Sequence, residues 1–412
     1  MAATNALELG IDVGSLDAAL LAGYPGTRAS MWQQAGRAGR RGEGSLAMLV
    51  AQDDPLDQYL MQHPEDLFDK PPEAAVIDPT NPYVVGPHLA CAAAEQPLTP
   101  EELDVFGPGA RAAADALIEE GRLVERRGLL HHRGRESPHR LIDIRSASGH
   151  LFAIVDRDTG AVMGTVDEAR AFYHVHPGAV YLHQGEQFEV HALDLERKVA
   201  VVAKSETDYY TQSKDTTEIE LLETLREGTV GRTPAFYGSV KVTRQVVGYQ
   251  RKSHFTNEVI DTVALDLPPQ TLTTKTLWWL LPPGLFLKAG VRPSALPGAI
   301  HAAEHAAIGL LPLVATCDRW DVGGLSTPFH PDTGGATIFI YDGYPGGAGI
   351  AERGYLSGER LVMATLETVR TCPCAKGCPS CVVSPKCGNG NEPLDKQGAI
   401  SVLSAMLGKA YG

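Results

Sequence analysis

Five of the seven cysteines in this chain of 412 residues lie close together near its C-terminal end. They follow the spacing CxC-x3-CxxC-x5-C and are Cys372, Cys374, Cys378, Cys381 and Cys387. Thiolates at such spacings can reach one tetrahedral Zn²⁺ ion at about 2.3 Å. Because four thiolates leave no position for water, the pattern predicts a structural zinc site rather than a catalytic one. An iron–sulfur centre is the alternative.

The choice among these cysteines stays open from spacing alone. Five sulfurs compete for four positions, and the loop lengths would allow Cys387 to displace Cys372. In a reducing compartment, such a cluster indicates metal rather than disulfides.

Closely spaced arginines form a second group that could do chemistry. The stretch WQQAGRAGRRG, residues 32–42, places Arg37 and Arg40 among glycines that give them little packing. Their guanidinium groups repel each other, so they either face a partner or form a solvated turn. The stretch by itself does not decide between the two.

HAAEH, residues 301–305, matches the HxxEH order of inverted zinc proteases. In that motif two histidines bind zinc and the glutamate, here Glu304, is the base. The downstream carboxylates Asp318 and Asp321 lie nearer than a third ligand is expected. We therefore favour a hydrogen-bonded structural role for His301, Glu304 and His305, with a metalloprotease as an alternative.

Phosphate-binding motifs are missing from the sequence. It contains no GxxxxGK[ST] and no DExH, so nothing in it is expected to cradle the ATP phosphates or hold Mg²⁺. GYPGGAG, residues 343–349, lacks the required lysine and hydroxyl residue and is interpreted as a tight turn. This chain alone is predicted not to hydrolyse ATP.

Composition restricts the class of protein. The chain is 43% hydrophobic and 21% charged, which is typical of globular domains. It lacks a long apolar run and a secretion signal, so we predict a cytoplasmic protein with no membrane partner. A net charge of −14 argues against a general nucleic-acid coat but allows a local basic groove.

The elements that would position these residues indicate an α/β and α+β multidomain chain. Apolar runs at 18–24 and 45–51 predict parallel strands around a helix at 29–38. A capping box at 99–102, a helix near 109–120 and a basic hairpin turning at Arg127-Gly128 favour a winged helix. We expect a partial α/β lobe at 1–70, a linker and winged helix at 71–140, an antiparallel β-domain at 141–268 and a zinc-binding α/β domain at 269–412.

The chain resembles superfamily 2 DNA-repair helicases of the MrfA type. ATNALELGIDVG, residues 3–14, and QQAGRAGRRG, residues 33–42, resemble helicase motifs V and VI. NPYVVGPHLACAAAEQPL (81–98), IFIYDGYPGGAG (338–349) and CPCAKGCPSC (372–381) extend the similarity over nearly the whole chain. The resemblance implies that residues 1–70 are part of the second RecA-like lobe. It implies the C-terminal part of an ATP-dependent 3′→5′ DNA helicase or translocase.

The same resemblance assigns roles to individual residues. Arg40, as the arginine finger, and Arg37 would face the phosphates of ATP across an interlobe cleft that Gln33 also lines. Thr4 and Asn5 would touch the DNA backbone, while Gly10 and Asp12 would couple DNA to nucleotide. The family pattern favours Cys372, Cys374, Cys378 and Cys381 as zinc ligands. ATP and Mg²⁺ would bind only with the missing N-terminal lobe.

Positive charge must be concentrated locally if this acidic chain binds DNA. The candidates are the hairpin arginines and a run in the β-domain: Arg126, Arg127, Arg133, Lys241, Arg244, Arg251 and Lys252. The expected partner is single-stranded DNA or DNA with a 3′ tail, and other repair proteins are further candidates. The alternative is a stand-alone zinc-stabilised nucleic-acid-binding or scaffold protein.

Overall fold

Residues 16–39 and 44–70 form the parallel α/β unit that the sequence predicts. The computed structural model describes residues 2–4, 8, 16–39, 44–73, 75–142 and 151–408. Strand β1 (Ala18–Ala22) pairs in parallel with β2 (Leu46–Val50), and helix α1 (Arg28–Ala35) connects them. Helices α2 (Pro55–Gln62) and α3 (Glu65–Phe68) follow.

The winged-helix region has its own small core. Helix α4 (Pro82–Glu95), a 3-10 turn (Glu102–Phe106) and α5 (Ala110–Glu119) precede the hairpin of β3 (Leu123–Arg126) and β4 (Leu129–His132). The predicted capping box is present, because Thr99 and Glu102 exchange hydrogen bonds between side chain and backbone amide. Leu89, Leu117 and Leu123 pack inside this core.

The first part of the predicted β-domain is a five-stranded sheet. Its strands, in the spatial order β6-β5-β9-β8-β7, are β5 (Leu151–Asp156), β6 (Val162–Asp167), β7 (Val180–His183), β8 (Glu186–Asp194) and β9 (Val199–Lys204). Helix α6 (Glu168–His174) lies between β6 and β7 along the chain. The expectation of a purely antiparallel sheet is wrong at one pair, because β5 and β9 run parallel.

A six-stranded sheet crosses the expected domain boundary at 268/269. Strands β10 (Tyr209–Val230), β11 (Thr233–Ser253) and β12 (Val259–Ala264) share it with β13 (Gln270–Leu281), β14 (Val322–His330) and β15 (Gly335–Asp342). Phe236, Trp278 and Phe339 stand in register on β11, β13 and β15. Their rings lie 5.2 Å and 6.1 Å apart, centroid to centroid. The expected boundary at 268/269 is therefore wrong, because this aromatic row joins strands from both sides of it into one sheet.

Helices of the C-terminal part cover that sheet and carry the cysteines between them. They are α7 (Pro283–Lys288), α8 (Leu296–Leu310), α9 (Ile350–Leu356), α10 (Gly358–Thr371) and α11 (Lys396–Met406). Leu56 and Leu60 of α2 belong to the same hydrophobic core as Ile300, Leu361 and Val402 of these helices. The parallel α/β unit therefore shares its core with the zinc-binding part. None of the described helices meets the length and hydrophobicity that crossing a membrane requires.

Candidate functional site

Four cysteines converge in the connection between α10 and α11. The Sγ of Cys372 lies 3.6 Å from that of Cys374 and 3.5 Å from that of Cys378. Cys381 lies 3.5 Å from Cys374 and 3.8 Å from Cys378. Metal–sulfur bonds of about 2.3 Å give a tetrahedron with sulfur–sulfur edges of about 3.8 Å. The four sulfurs therefore fit one tetrahedral ion, as expected for a structural zinc.

The turn before Cys378 is shaped for this site. Gly377 has a φ of 123°, and a Cβ there would lie 2.5 Å from Cγ2 of Val382. The backbone amide of Cys378 then points at the Sγ of Cys381 over 3.4 Å. An amide hydrogen bond of this kind stabilises a thiolate, which is the form that binds metal.

A buried lysine supports the cysteines, and the sequence interpretation did not include it. Lys396 is 3% exposed at the start of α11. Its Nζ donates to the carbonyls of Cys372 and Cys374 at 2.6 Å each and lies 3.4 Å from the Sγ of Cys374. Burial opposes ionisation of Cys374, but hydrogen bonds from the three other thiols and Lys396 lower its pKa to about 7. The ammonium group thus offsets the negative charge of a four-thiolate site.

We expect Lys396→Met to weaken zinc binding by about 10- to 100-fold, as for other groups that orient metal ligands. Competition against a chromophoric zinc chelator would measure the change. Lys376→Met is the matched control, because Lys376 is exposed in the same loop and makes no hydrogen bond to a described residue. An unchanged zinc affinity in Lys396→Met would contradict this role.

Cys387 lies outside the four-cysteine site. Its Sγ is 3.5 Å from Nε2 of His301, and these two residues form a separate group with His305. The structure therefore contradicts the alternative in which Cys387 takes the place of Cys372 in the four-cysteine site. Five residues of loop separate Cys381 from Cys387, and they lead the chain to helix α8 instead of back to the other thiols.

The HAAEH motif lies on α8, and the described residues around it do not form a protease site. Among them, the side chain that groups with its two histidines is the Cys387 thiol rather than a carboxylate. Glu304 is 6% exposed, and burial raises its pKa to about 7 against a hydrogen bond with Ser326. A general base needs access to substrate, so this buried carboxyl favours the structural role.

The described part of helicase motif VI, residues 33–39, comprises the end of α1 and the turn after it. Arg37 donates from Nη2 to the carbonyl of Glu8 in the motif V segment. Gln33 and Thr4 are exposed. Asn5, Gly10, Asp12 and Arg40 lie outside the described residues. The structure therefore brings Arg37 to motif V, while the predicted nucleotide contacts stay predictions.

Three arginines project from the winged-helix hairpin. Arg126, Arg127 and Arg133 are exposed, and none pairs with a carboxylate among the residues that the structure describes. Arg127 and Gly128 form the turn with φ values of 55° and 76°. The predicted turn position is thus confirmed.

Strand β11 carries four of the predicted DNA-binding cations, here called the β-region cations: Lys241, Arg244, Arg251 and Lys252. They contact other groups of the protein. Arg251 lies 3.4 Å from Asp261 and over the rings of Tyr209 and Tyr249. Lys252 donates to Gln212 at 2.6 Å. Lys241 and Arg244 lie 3.6 Å from Glu220 and 3.7 Å from Asp215.

Backbone amides of the glycine-rich loop after β15 already bind a carboxylate of this chain, that of Asp342. The carboxylate of Asp342 accepts from the amides of Ala348 at 2.7 Å, Gly349 at 3.0 Å and Ala351 at 2.7 Å. Asn81, at the start of α4, donates to the carbonyls of Pro345 and Gly347. The loop is therefore a structural turn that also holds the winged helix.

Two family models match the regions just described. The model of the MrfA Zn-binding domain matches residues 303–382, which include the four cysteines. The model described as ATP-dependent helicase HRQ1, winged helix domain, matches residues 77–147.

Longer relatives match nearly the whole chain. It is 37% identical over 392 residues to the uncharacterized ATP-dependent helicase YprA of Bacillus subtilis, covering 92% of this chain and 50% of that protein. It is 30% identical over 424 residues to ATP-dependent helicase hrq1 of Schizosaccharomyces pombe, covering 98% of this chain and 40% of that protein. The chain thus spans about half the length of these curated relatives or less.

A solved structure agrees with these relatives. The crystal structure of DUF1998 helicase MrfA bound to DNA matches with a TM-score of 0.59 and 33% identity, covering 98% of this chain and 53% of that chain. Sequence, fold and the zinc-binding region all lead to the same relatives, and the chain belongs to the MrfA-type family of superfamily 2 helicases.

Proposed function

We propose that this chain is the C-terminal portion of an ATP-dependent 3′→5′ DNA helicase or translocase that acts in DNA repair. In this proposal the winged-helix hairpin contacts DNA, and zinc holds the C-terminal part together. Arg40 and Arg37 complete an ATP site whose phosphate-binding loop and Mg²⁺ ligands belong to another lobe. The relatives support it, since they are described as ATP-dependent helicases and as a helicase bound to DNA.

The observation that carries the proposal is an arginine at the tip of the hairpin. Arg127 has a φ of 55°, although two-residue turns of this kind favour asparagine, aspartate or glycine there. The left-handed conformation costs most residues about 1–2 kcal/mol. This arginine places a cation at the tip of the β3–β4 hairpin, here called the wing, although its conformation lowers the stability of the fold. Its presence there supports a contact with an anionic partner.

The charges around the tip favour DNA as that partner. The three wing arginines are exposed and unpaired among the described residues, whereas the β-region cations contact carboxylates or amides. A free guanidinium group can displace the counterions that are condensed on DNA. The wing is therefore the stronger candidate, with Arg251 and Lys252 as secondary contacts.

Arg127→Asn tests this contact without unfolding the wing. Asparagine tolerates the left-handed turn, so we expect unchanged or slightly higher thermal stability. With Arg126→Ala added, affinity for a fluorescent single strand should fall at low salt. The salt slope should flatten by about 1.4 log units per log unit of salt, at about 0.7 for each of the two phosphates that would no longer be neutralised.

The controls separate a wing contact from general charge. Arg197→Ala removes a side chain that is 85% exposed on the five-stranded region, and it should leave DNA affinity unchanged. A second pair, Arg251→Gln with Lys252→Gln, should have a smaller effect than the wing variant. Absence of salt-dependent DNA binding by the unsubstituted chain would overturn the proposal and favour the zinc-stabilised scaffold. If Arg251→Gln with Lys252→Gln instead weakened binding more than the wing variant, the DNA strand would be assigned to the β-region cations.

The location and further partners follow from the same proposal. Thiolates held by zinc suit a reducing compartment, which supports a cytoplasmic location. Single-stranded DNA or a duplex with a 3′ tail is the proposed substrate, and other repair proteins are proposed partners.

A further inference from the structure

His301, His305 and Cys387 form a second group of metal-binding side chains. One ligand atom from each lies within 4.8 Å of the other two. His305 and Cys387 are each 8% exposed, and His301 is half-buried. The group joins two turns of α8 to a loop 86 residues away. None of these residues belongs to the four-cysteine site.

Each imidazole is oriented as in a metal site. Nδ1 of His301 lies 2.9 Å from the carbonyl of Pro393, and Nδ1 of His305 lies 2.9 Å from the carbonyl of Val382. A carbonyl accepts only, so Nδ1 of each ring carries the proton and Nε2 keeps its lone pair. This arrangement, with the second nitrogen donating to a backbone carbonyl, is the usual support of a metal-binding histidine.

The thiol has the distance and the support that a ligand needs. Zinc bonds of about 2.05 Å to nitrogen and 2.3 Å to sulfur give a tetrahedral nitrogen–sulfur edge of about 3.5 Å. Nε2 of His301 and Sγ of Cys387 are separated by 3.5 Å. The amide of Asn391 donates to the same Sγ over 3.3 Å, which favours the thiolate.

Charges of both signs surround the group. The buried Glu304 lies between the two histidines on α8. The amine of Lys386 donates to the carbonyls of Arg319 and Val322 rather than to a ligand atom. Burial lowers the pKa of His305, and Lys386 and Arg319 lower it further, so they still oppose a positive charge there. The geometry of the three ligand atoms, rather than the surrounding charge, therefore favours a metal ion here.

We propose that His301, His305 and Cys387 bind a second Zn²⁺ ion, with a water molecule in the fourth position. A mixture of two imidazoles and one thiolate suits zinc. The ion pins residues 383–395, which contain turns but neither helix nor strand, onto α8. It also supports the first site, because His305 holds the carbonyl of the residue that follows Cys381.

Metal analysis of the whole chain tests the proposal. After reconstitution with Zn²⁺ and gel filtration, elemental analysis should find two zinc ions per chain. Cys387→Ser and His301→Gln should each retain one, and Cys91→Ser, which changes a thiol on α4, should retain both. Because the second site has only three protein ligands, a chelator should remove its ion first.

Cobalt substitution gives a readout that does not depend on full stability. With Co²⁺ in both sites, Cys387→Ser should remove about one fifth of the thiolate-to-cobalt absorption, since it removes one of five sulfur ligands. Hydrogen exchange should show metal-dependent protection of the amide of Asn391. His301→Gln should lose that protection even if Cys387→Ser folds poorly.

Two results would overturn the second site. One is a single zinc per reconstituted chain, which would leave His301 and Cys387 as a hydrogen-bonded pair. The other is an unchanged metal content and cobalt spectrum in both variants.

Discussion

Replacing Cys378 and Cys381 together by serine should release the zinc and unfold the C-terminal part of the chain. Both thiols belong to the four-cysteine group that fits a tetrahedral ion, and Cys381 is 0% exposed. Zinc binding at four thiolates contributes about 10–16 kcal/mol at neutral pH in small zinc domains. A typical domain is stable by only about 5–15 kcal/mol. Loss of the metal is therefore expected to exceed the net stability of the region.

Unfolding should spread beyond the zinc loop. Cys381 and Val382 belong to the same core as Ile300, Leu361 and Val402, and α2 of the parallel α/β unit packs there too. Near-ultraviolet circular dichroism and hydrogen exchange should show loss of structure in residues 269–408 and in α2. The winged helix has a separate core and should stay folded.

Cys91→Ser is the control for this double substitution, because Cys91 lies on α4 outside the metal site. It should keep full zinc content and stability. A double variant that lacked zinc yet unfolded at the same temperature as the unsubstituted chain would show that the metal does not stabilise the fold. A visible absorption band in anaerobically purified protein would instead indicate an iron–sulfur centre.

The zinc cysteines and the hairpin could be predicted because their information is local. CxC-x3-CxxC places four thiols within ten residues, and two adjacent residues, Arg127 and Gly128, determine the hairpin turn. Loop geometry fixes both almost independently of the rest of the chain. The parallel strands around α1 were predictable for the same reason.

Long-range partners could not be predicted from these patterns. His301 and Cys387 are 86 residues apart, and their contact depends on how α8 packs beside α11. The six-stranded sheet likewise depends on pairing between β11 and β13. The alternation of apolar and polar residues in these strands is compatible with one shared sheet or with two separate sheets. Lys396 gives one local signal, a lysine directly after the N-cap Asp395, but burial alone shows its role.

Arg40→Ala should lower ATP turnover by about 10³-fold or more when the chain is joined to an ATP-binding lobe, such as that of the B. subtilis relative. An arginine finger stabilises charge that develops on the transferred phosphoryl group, so kcat should fall much more than the affinity for ATP changes. Arg40→Lys should recover little, because an ammonium lacks the planar fork of donors. Steady-state turnover with and without single-stranded DNA would measure both variants.

Arg37 should behave differently from Arg40 in the same assay. Its guanidinium group contacts the carbonyl of Glu8, so it bridges motif VI to the motif V segment. Arg37→Ala should therefore reduce the stimulation by DNA as well as the basal rate, whereas Arg40→Ala should reduce both rates in proportion. Because no phosphate-binding loop occurs in residues 1–412, the chain alone should show no DNA-stimulated turnover. Strong ATPase activity of the chain alone, or full activity of Arg40→Ala in the joined protein, would contradict the assignment of the finger.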